Sequence, residues 1–387
     1  MIDMRDAAMM TLGDLVGFPT VTDASNLELI EYARAMLEPI ASDIRITHDE
    51  HRFKANLLAT IGPNVDGGVI LSGHSDVVPA EDFDWTGPPF LATRREQKVF
   101  GRGTADMKGF IACALVMAPV FAASKLRRPV HIAITFDEEV GCRGAPILID
   151  DLERNGPKPA VAIVGEPTEM GIVTSHKGCY EYTTYLTGLE GHGSAPALGV
   201  NAVQYGARYV ARLLELAANL EENDPGTSPY DPPHTTISVG TMNGGTARNV
   251  IAGECIIQWE MRPVRKVDAM HVLEELREFE ELLSTEMRRK SVDAAIVTVS
   301  EGAVDGLEDT PDDPAFDLVS SLLGTSERQV AAFGTEAGLY QMAGIPAVVC
   351  GPGSIEVAHR PDEHISLEQL ESCLEMMKGL TGKLSDE

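Results

Sequence analysis

Apolar runs that end in histidine or acidic residues recur along this chain, and that repetition limits what it can fold into. Val69-Ile70-Leu71 leads directly into Ser72-Gly73-His74-Ser75-Asp76-Val77-Val78-Pro79. The run reads as a buried strand that delivers an imidazole and a carboxylate at its carboxyl end. In an extended segment, residues i and i+2 point to the same side. The Asp76 carboxylate is therefore expected to accept the second ring N–H of His74 and fix its tautomer, the usual support of a metal-ligating histidine.

The pattern repeats. Asp106 lies in Gly103-Thr104-Ala105-Asp106-Met107-Lys108-Gly109, ahead of a helical stretch from Phe110 to Phe121. Asp137-Glu138-Glu139 follows Val130 to Phe136, Glu166 follows Val161-Ala162-Ile163-Val164-Gly165, and His359 comes after Ala347-Val348-Val349-Cys350 and the turn Gly351-Pro352-Gly353. Continuous apolar runs of this kind form parallel strands buried on both faces. Ligands of open α/β sheets collect beyond the carboxyl ends of such strands, so these groups should converge. Two imidazoles, several carboxylates and no thiolate suit one or two divalent ions of the zinc, cobalt or manganese kind.

Charge and motif content narrow the function further. A formal charge of −28 argues against a nucleic-acid partner, which calls for a basic surface; a cationic small-molecule substrate fits that field, and a solvated acidic surface is the plainer reading. The N-terminus, Met1-Ile2-Asp3-Met4-Arg5-Asp6, lacks the basic and apolar regions of a secretory signal. No uninterrupted apolar stretch approaches the roughly 20 residues of a membrane span. The six cysteines are scattered without a Cys-x-x-Cys pair and read as reduced core residues of a cytoplasmic protein. Gly101-Arg102-Gly103 is not a dinucleotide fingerprint, since Asp106 stands where the third glycine belongs. Neither His-Glu-x-x-His nor Gly-x-Ser-x-Gly occurs. His48, His51, His131, His234, His271 and His364 lack partner patterns and are read as structural or surface residues.

At 387 residues the chain is long enough for more than one domain. Helices are expected at Arg5 to Val16 and Leu27 to Leu37, the second capped by Ser25 or Asn26. Alternating strands and helices then run to about Cys179, the signature of a mostly parallel sheet. From Tyr180 the pattern changes to four strands and two helices, a small α+β sandwich. After about Glu301 the α/β alternation resumes. The expected fold is thus an α/β catalytic domain (residues 1–179 and 301–387) with an inserted α+β domain over 180–300.

The segments Ser72 to Pro79, Gly103 to Gly109, Asp137-Glu138-Glu139, Gly165-Glu166-Pro167-Thr168, His176-Lys177-Gly178, Gly191-His192-Gly193-Ser194, Gly334-Thr335-Glu336-Ala337 and Gly351 to Glu363 stand in one order. Together the set resembles the co-catalytic zinc aminoacylases and peptidases, most closely the acetylornithine deacetylase branch. The resemblance spans residues 72 to 363. It implies that Asp106 bridges two metals, that His74 and Glu166 complete one shell, and that Glu139 and His359 complete the other. It makes Glu138 the general base, counts Asp76 beside His74 among the catalytic residues, and makes His192 an oxyanion donor that can act across the interface of a homodimer built through the inserted lid domain. Asn249 and Arg262 are the expected grips for the substrate α-carboxylate, and Glu336 for a cationic side chain, because desuccinylase relatives read Gly-Thr-Ser-Asp-Gly there. The implied cofactor is Zn²⁺, two per subunit, with Co²⁺ or Mn²⁺ as alternatives, and the implied reaction is hydrolysis of N²-acetyl-L-ornithine in arginine synthesis. Succinyl-diaminopimelate desuccinylase, a broader N-acyl-amino-acid deacylase and a dipeptidase remain open within the class. A nucleotide-binding oxidoreductase and a non-catalytic metal binder are the alternatives outside it.

Overall fold

The computed structural model describes residues 3–80 and 84–385 and divides the chain into two compact units. The first holds the residues up to Ser175, Leu307–Val330 and those from Thr335 onward; the second holds His176–Gly306 and Ala331–Gly334. The change of unit thus falls at His176 rather than after Cys179, and the return falls after Gly306, because the last strand of the inserted unit runs on to Val304.

An eight-stranded sheet organises the first unit, in the order Asp43–His48, Ala55–Ile61, Val130–Thr135, Val69–His74, Val161–Pro167, Ala347–Gly351, Val173–His176 and Gln329–Ala331. The four central strands are parallel, with Val69 opposite both Val130 and Val161, and Ala347 opposite Ala162. Their flanks are antiparallel. Every residue of the four central strands is buried, which explains why they read as unbroken apolar runs rather than alternating ones. The α/β class with a largely parallel centre is as expected.

One helical group, Met4–Val16, Leu27–Leu37, Gly109–Ala123 and Leu367–Ser385, packs together, with Gly109–Ala123 reaching the central strands. Gly165 permits this seating: a Cβ there would lie 2.0 Å from the Phe110 ring. The run Thr104–Ala123 is the one helical stretch among the described residues long and apolar enough to cross a membrane, yet most of it is buried inside the protein. Its apolarity is that of a core helix. The cap expected at Leu27 comes from Ser25, whose Oγ accepts from Leu27 N at 3.3 Å. Asn26 makes no side-chain cap; its amide donates to Ala55 O and Ser75 Oγ and accepts from Ala55 N, tying a strand to the segment after His74.

The second unit is a four-stranded antiparallel sheet ordered Thr236–Gly244, Glu254–Arg262, Cys179–Thr187 and Ala295–Val304, with helices Ala202–Glu222 and Lys266–Arg288 packed on it. Cys255, Ile257, Trp259 and Met261 alternate inward, and Trp259 stacks on Tyr182 at 4.5 Å between ring centroids.

His131, within the sheet, gives the fold a pH signature. It is fully buried with Nδ1 3.0 Å from Thr60 Oγ1, and burial, reinforced by the Arg45 charge, pushes its pKa down to about 4. The folded state keeps the ring neutral while the unfolded chain protonates it near 6.5. Its contribution is intact above about pH 6.5 and disappears as pH falls toward 4, a loss of about 3 kcal/mol in the limit. Equilibrium unfolding of His131→Asn should show a shallower loss of stability than the parent between these pH values. Parallel curves would mean that His131 is protonated alike in both states.

Candidate metal centre

Four of the expected residues are brought to the carboxyl ends of the central strands. His74 is the last residue of its strand, Glu166 lies near the end of another, and Glu138 and Glu139 sit in the turn after Val130–Thr135. His359 follows the Ala347–Gly351 strand by a loop, and Asp106 interrupts the helical turn ahead of Gly109 with extended φ/ψ of −119° and 92°. His359 itself has φ 59° and Asp137 φ 56°, left-handed values uncommon for residues with a side chain.

Distances define one cluster. His74 Nε2 lies 3.0 Å from Asp106 Oδ1 and 3.7 Å from Glu166 Oε1. His359 Nε2 lies 3.3 Å from Asp106 Oδ2 and 3.0 Å from Glu139 Oε2. The two oxygens of Asp106 thus face two different imidazoles. Donor atoms of His74, Asp106 and Glu139 lie within 4.8 Å of one another, as do those of His74, Glu138 and Glu166. Glu166 Oε1 is buried without a hydrogen-bond partner. An orphaned carboxylate oxygen beside an imidazole, with a second imidazole across a shared carboxylate, is a donor set that fits a divalent cation of the zinc type.

The electrostatics describe the same demand for positive charge. Burial, and then the negative charge of Asp106, pushes the Glu166 carboxyl well above its ordinary range. Burial also raises Glu138 well above normal, with Glu139, Asp106 and Asp76 adding to the shift against the pull of His74. Glu139 is pushed up to about 7 by burial and Asp106. Burial opposes a charge on His74, but Glu166, Asp106 and Asp76 outweigh it and hold that imidazole well above its usual value. Hydrogen bonds to Asp106 and Glu139 raise His359 to about 10. Several carboxylates compete for too little cationic charge, which a bound divalent ion would supply.

Asp76 acts differently from the expectation. The strand ends at His74, so the i, i+2 rule no longer applies, and His74 Nδ1 meets the Asp76 backbone carbonyl at 2.9 Å while the carboxylate stands 3.5 Å away. The Asp76 carboxylate instead accepts the backbone N–H groups of Glu138 and Glu139, at 3.1 and 3.2 Å. It fixes the acidic turn. Lys54, which the sequence did not single out, pairs with Asp137 and holds the same turn from its other side.

Glu336 requires a correction. It is 1% exposed, and its carboxylate accepts hydrogen bonds from Ser72 Oγ and from Thr135 Oγ1, the latter at 2.9 Å, with Tyr340 closing the network on Ser72 at 2.8 Å. Both oxygens are engaged in the core beneath the His74 strand, so this carboxylate is not presented to a substrate ammonium.

In the second unit, His192 and Asn249 come together. Gly191–His192 pairs antiparallel with Val250–Ile251, and Gly193 N donates to Asn249 O at 2.7 Å. His192 is exposed, and its Nδ1 lies 2.7 Å from Ser194 Oγ and 3.2 Å from Ser194 N. Arg262 donates to Glu260 Oε2 at 2.8 and 3.2 Å, so its guanidinium already has a carboxylate partner.

The family model of Peptidase family M20/M25/M40 matches residues 70–383. The chain belongs to this peptidase family. It is accordingly a metal-dependent amide hydrolase. An acetylornithine deacetylase of Yersinia pestis is 33% identical over 376 residues, covering 96% of this chain and 94% of the relative. A tripeptidase of Staphylococcus aureus shares the fold with a TM-score of 0.73 at 19% identity, covering 99% of both chains. A dinuclear metal-binding M20 peptidase of Bacillus subtilis does so with a TM-score of 0.63 at 18% identity, covering 98% of this chain and 97% of that one.

The burial of Glu336 has a measurable consequence. Glu336→Gln should fold almost as stably as the parent, because the hydroxyls of Ser72 and Thr135 can re-orient around an amide. Glu336→Ala strands them and should cost about 1–3 kcal/mol in denaturant unfolding. Neither variant should alter the ratio of efficiencies on cationic and neutral N-acyl amino acids. A selective loss on the cationic substrate would return Glu336 to the substrate pocket.

Proposed function

We propose that this chain hydrolyses N²-acetyl-L-ornithine to L-ornithine and acetate, serving arginine biosynthesis in the cytoplasm with two zinc ions per subunit. The observation that carries the reading is the single cluster of His74, Asp106, Glu138, Glu139, Glu166 and His359. The activity for which the Yersinia pestis relative is named, at 33% identity over nearly the whole chain, supports the substrate. The six free cysteines accord with a reducing compartment.

His74 and Glu166 would hold one ion and His359 and Glu139 the other, with Asp106 between them, one oxygen toward each imidazole. The bound metal would supply Lewis acidity toward the acyl carbonyl and toward water. Glu138 has the raised proton affinity that a general base needs, and the hydrogen bond from its own N–H to Asp76 sets its backbone. It takes a proton from water as the water oxygen bonds to the acyl carbon, and delivers that proton to the amine nitrogen as the C–N bond breaks. His192, exposed beside Ser194, is assigned to the developing oxyanion. Asn249 beside it is assigned to the substrate α-carboxylate; Arg262 would divide its guanidinium between that carboxylate and Glu260.

The second unit is assigned as lid and homodimer contact. Ile256, Tyr185 and Val297 stand in register across three strands and are 39%, 42% and 53% exposed, an apolar row suited to self-association.

Removal of metal by chelation should abolish activity and zinc or cobalt should restore it, whereas full turnover by a metal-free preparation would end this reading. Glu138→Gln should lower turnover by about 10²–10⁴-fold with metal content unchanged. If Glu138→Gln loses metal while Glu139→Gln keeps it, the two roles are exchanged. A screen of N-acetylornithine, N-acetylmethionine, succinyl-diaminopimelate and dipeptides tests the substrate, and a clear preference for any of the last three would displace the first.

A further inference from the structure

The segment that carries His359 continues through Arg360-Pro361-Asp362-Glu363, and Glu363 has no role in the chemistry above. It is 1% exposed, yet its carboxylate is saturated with donors. Oε2 accepts from Arg102 Nη1 at 2.7 Å and from Gly103 N at 3.0 Å, and Oε1 accepts from Ala105 N at 2.9 Å and Asp106 N at 3.1 Å. Three backbone N–H groups within the four residues from Gly103 to Asp106 are thus gathered on one side chain. The Glu363 carbonyl also accepts from Gly101 N at 2.9 Å, and His364–Ser366 pairs antiparallel with Lys98–Phe100. The loop bearing one imidazole and the loop bearing the shared carboxylate are therefore locked together at both backbone and side chain.

Arg102 extends the lock to a third ligand-bearing segment. Its side chain is 1% exposed, and besides Glu363 it donates to the Arg360 carbonyl at 3.4 Å and to the Pro79 carbonyl at 3.3 Å, in the segment that follows His74 and Asp76. A carboxylate accepting several backbone N–H groups is a strong and directional anchor. The pair is also costly to break, because either partner alone would be a buried, uncompensated charge.

We propose that Glu363 is the positioning residue of the metal centre: with Arg102 it fixes the carboxylate of Asp106 relative to His359 and so sets the site's affinity for metal. The assignment rests on the metal-centre reading above and touches neither substrate nor reacting atoms. Its direct bond to the site is to the backbone N–H of Asp106.

The test uses the full-length chain stripped of metal, with zinc affinity measured by competition against a chromophoric chelator. Glu363→Gln keeps the size of the side chain but turns an NH₂ group toward donors, and should weaken zinc binding by about 10–100-fold, the usual cost of losing an outer support of a ligand. Arg102→Lys keeps the charge but loses the fork, and should shift affinity in the same direction by less. In an Asp106→Asn background, Glu363→Gln should produce no further loss. Far-UV circular dichroism and melting of the metal-free proteins establish that each variant is folded, and Arg102→Lys carries the test if Glu363→Gln is not. Parental affinity in folded Glu363→Gln, or in folded Arg102→Lys where that variant stands alone, overturns the proposal. So does an equal loss with and without the Asp106 carboxylate, since that is what general loosening would produce. If the parent chain itself fails to bind zinc, the metal-centre reading fails and this proposal falls with it.

Discussion

Mutual repulsion among buried carboxylates is the constraint on which the rest of the structure depends. Asp106, Glu138, Glu139 and Glu166 lie around two imidazoles, and each raised carboxyl has burial as its first cause and its neighbours' charges behind it. A protein interior does not tolerate such a group of anions without protons or cations to balance them. His74 and His359 provide part of that balance, and a bound metal ion would provide the remainder. The fold around the cluster serves mainly to hold it open against collapse and dispersal.

That holding is done by rigid elements and by hydrogen bonds to backbone. Parallel central strands bring His74 and Glu166 to one end of the sheet, where helix Gly109–Ala123 seats against Gly165 through Phe110. The ligands that come from loops need separate anchoring. Asp76 and Lys54 hold the Asp137-Glu138-Glu139 turn, and Glu363 with Arg102 gathers the loops of Asp106 and His359. Left-handed backbone at Asp137 and His359 is tolerated where such anchors over-determine the path of the chain.

The strand-end pattern was legible in the sequence because buried parallel strands show as unbroken apolar runs, and their ends are where a polar residue must be explained. The two helices and four strands of the inserted unit were equally readable from alternation and periodicity. What escaped was direction. A glutamate after Gly334-Thr335 looks the same whether it faces a cleft or, as Glu336 does, two hydroxyls in the core. Asp76 was expected to serve His74 through its side chain, but the strand stops one residue too soon for that geometry, and its carbonyl does so instead. The anchoring by Lys54, Glu363 and Arg102 links positions far apart in the chain, so no local spacing could reveal it.

The most direct test of the central claim is anomalous diffraction above the zinc absorption edge from crystals of the full chain grown with zinc. Strong anomalous peaks are expected within the cluster bounded by His74, Asp106, Glu139, Glu166 and His359, with the Asp106 carboxylate between them. Crystals in which zinc occupies only surface positions, with both imidazoles still hydrogen-bonded to the carboxylates of a metal-free cluster, would contradict it.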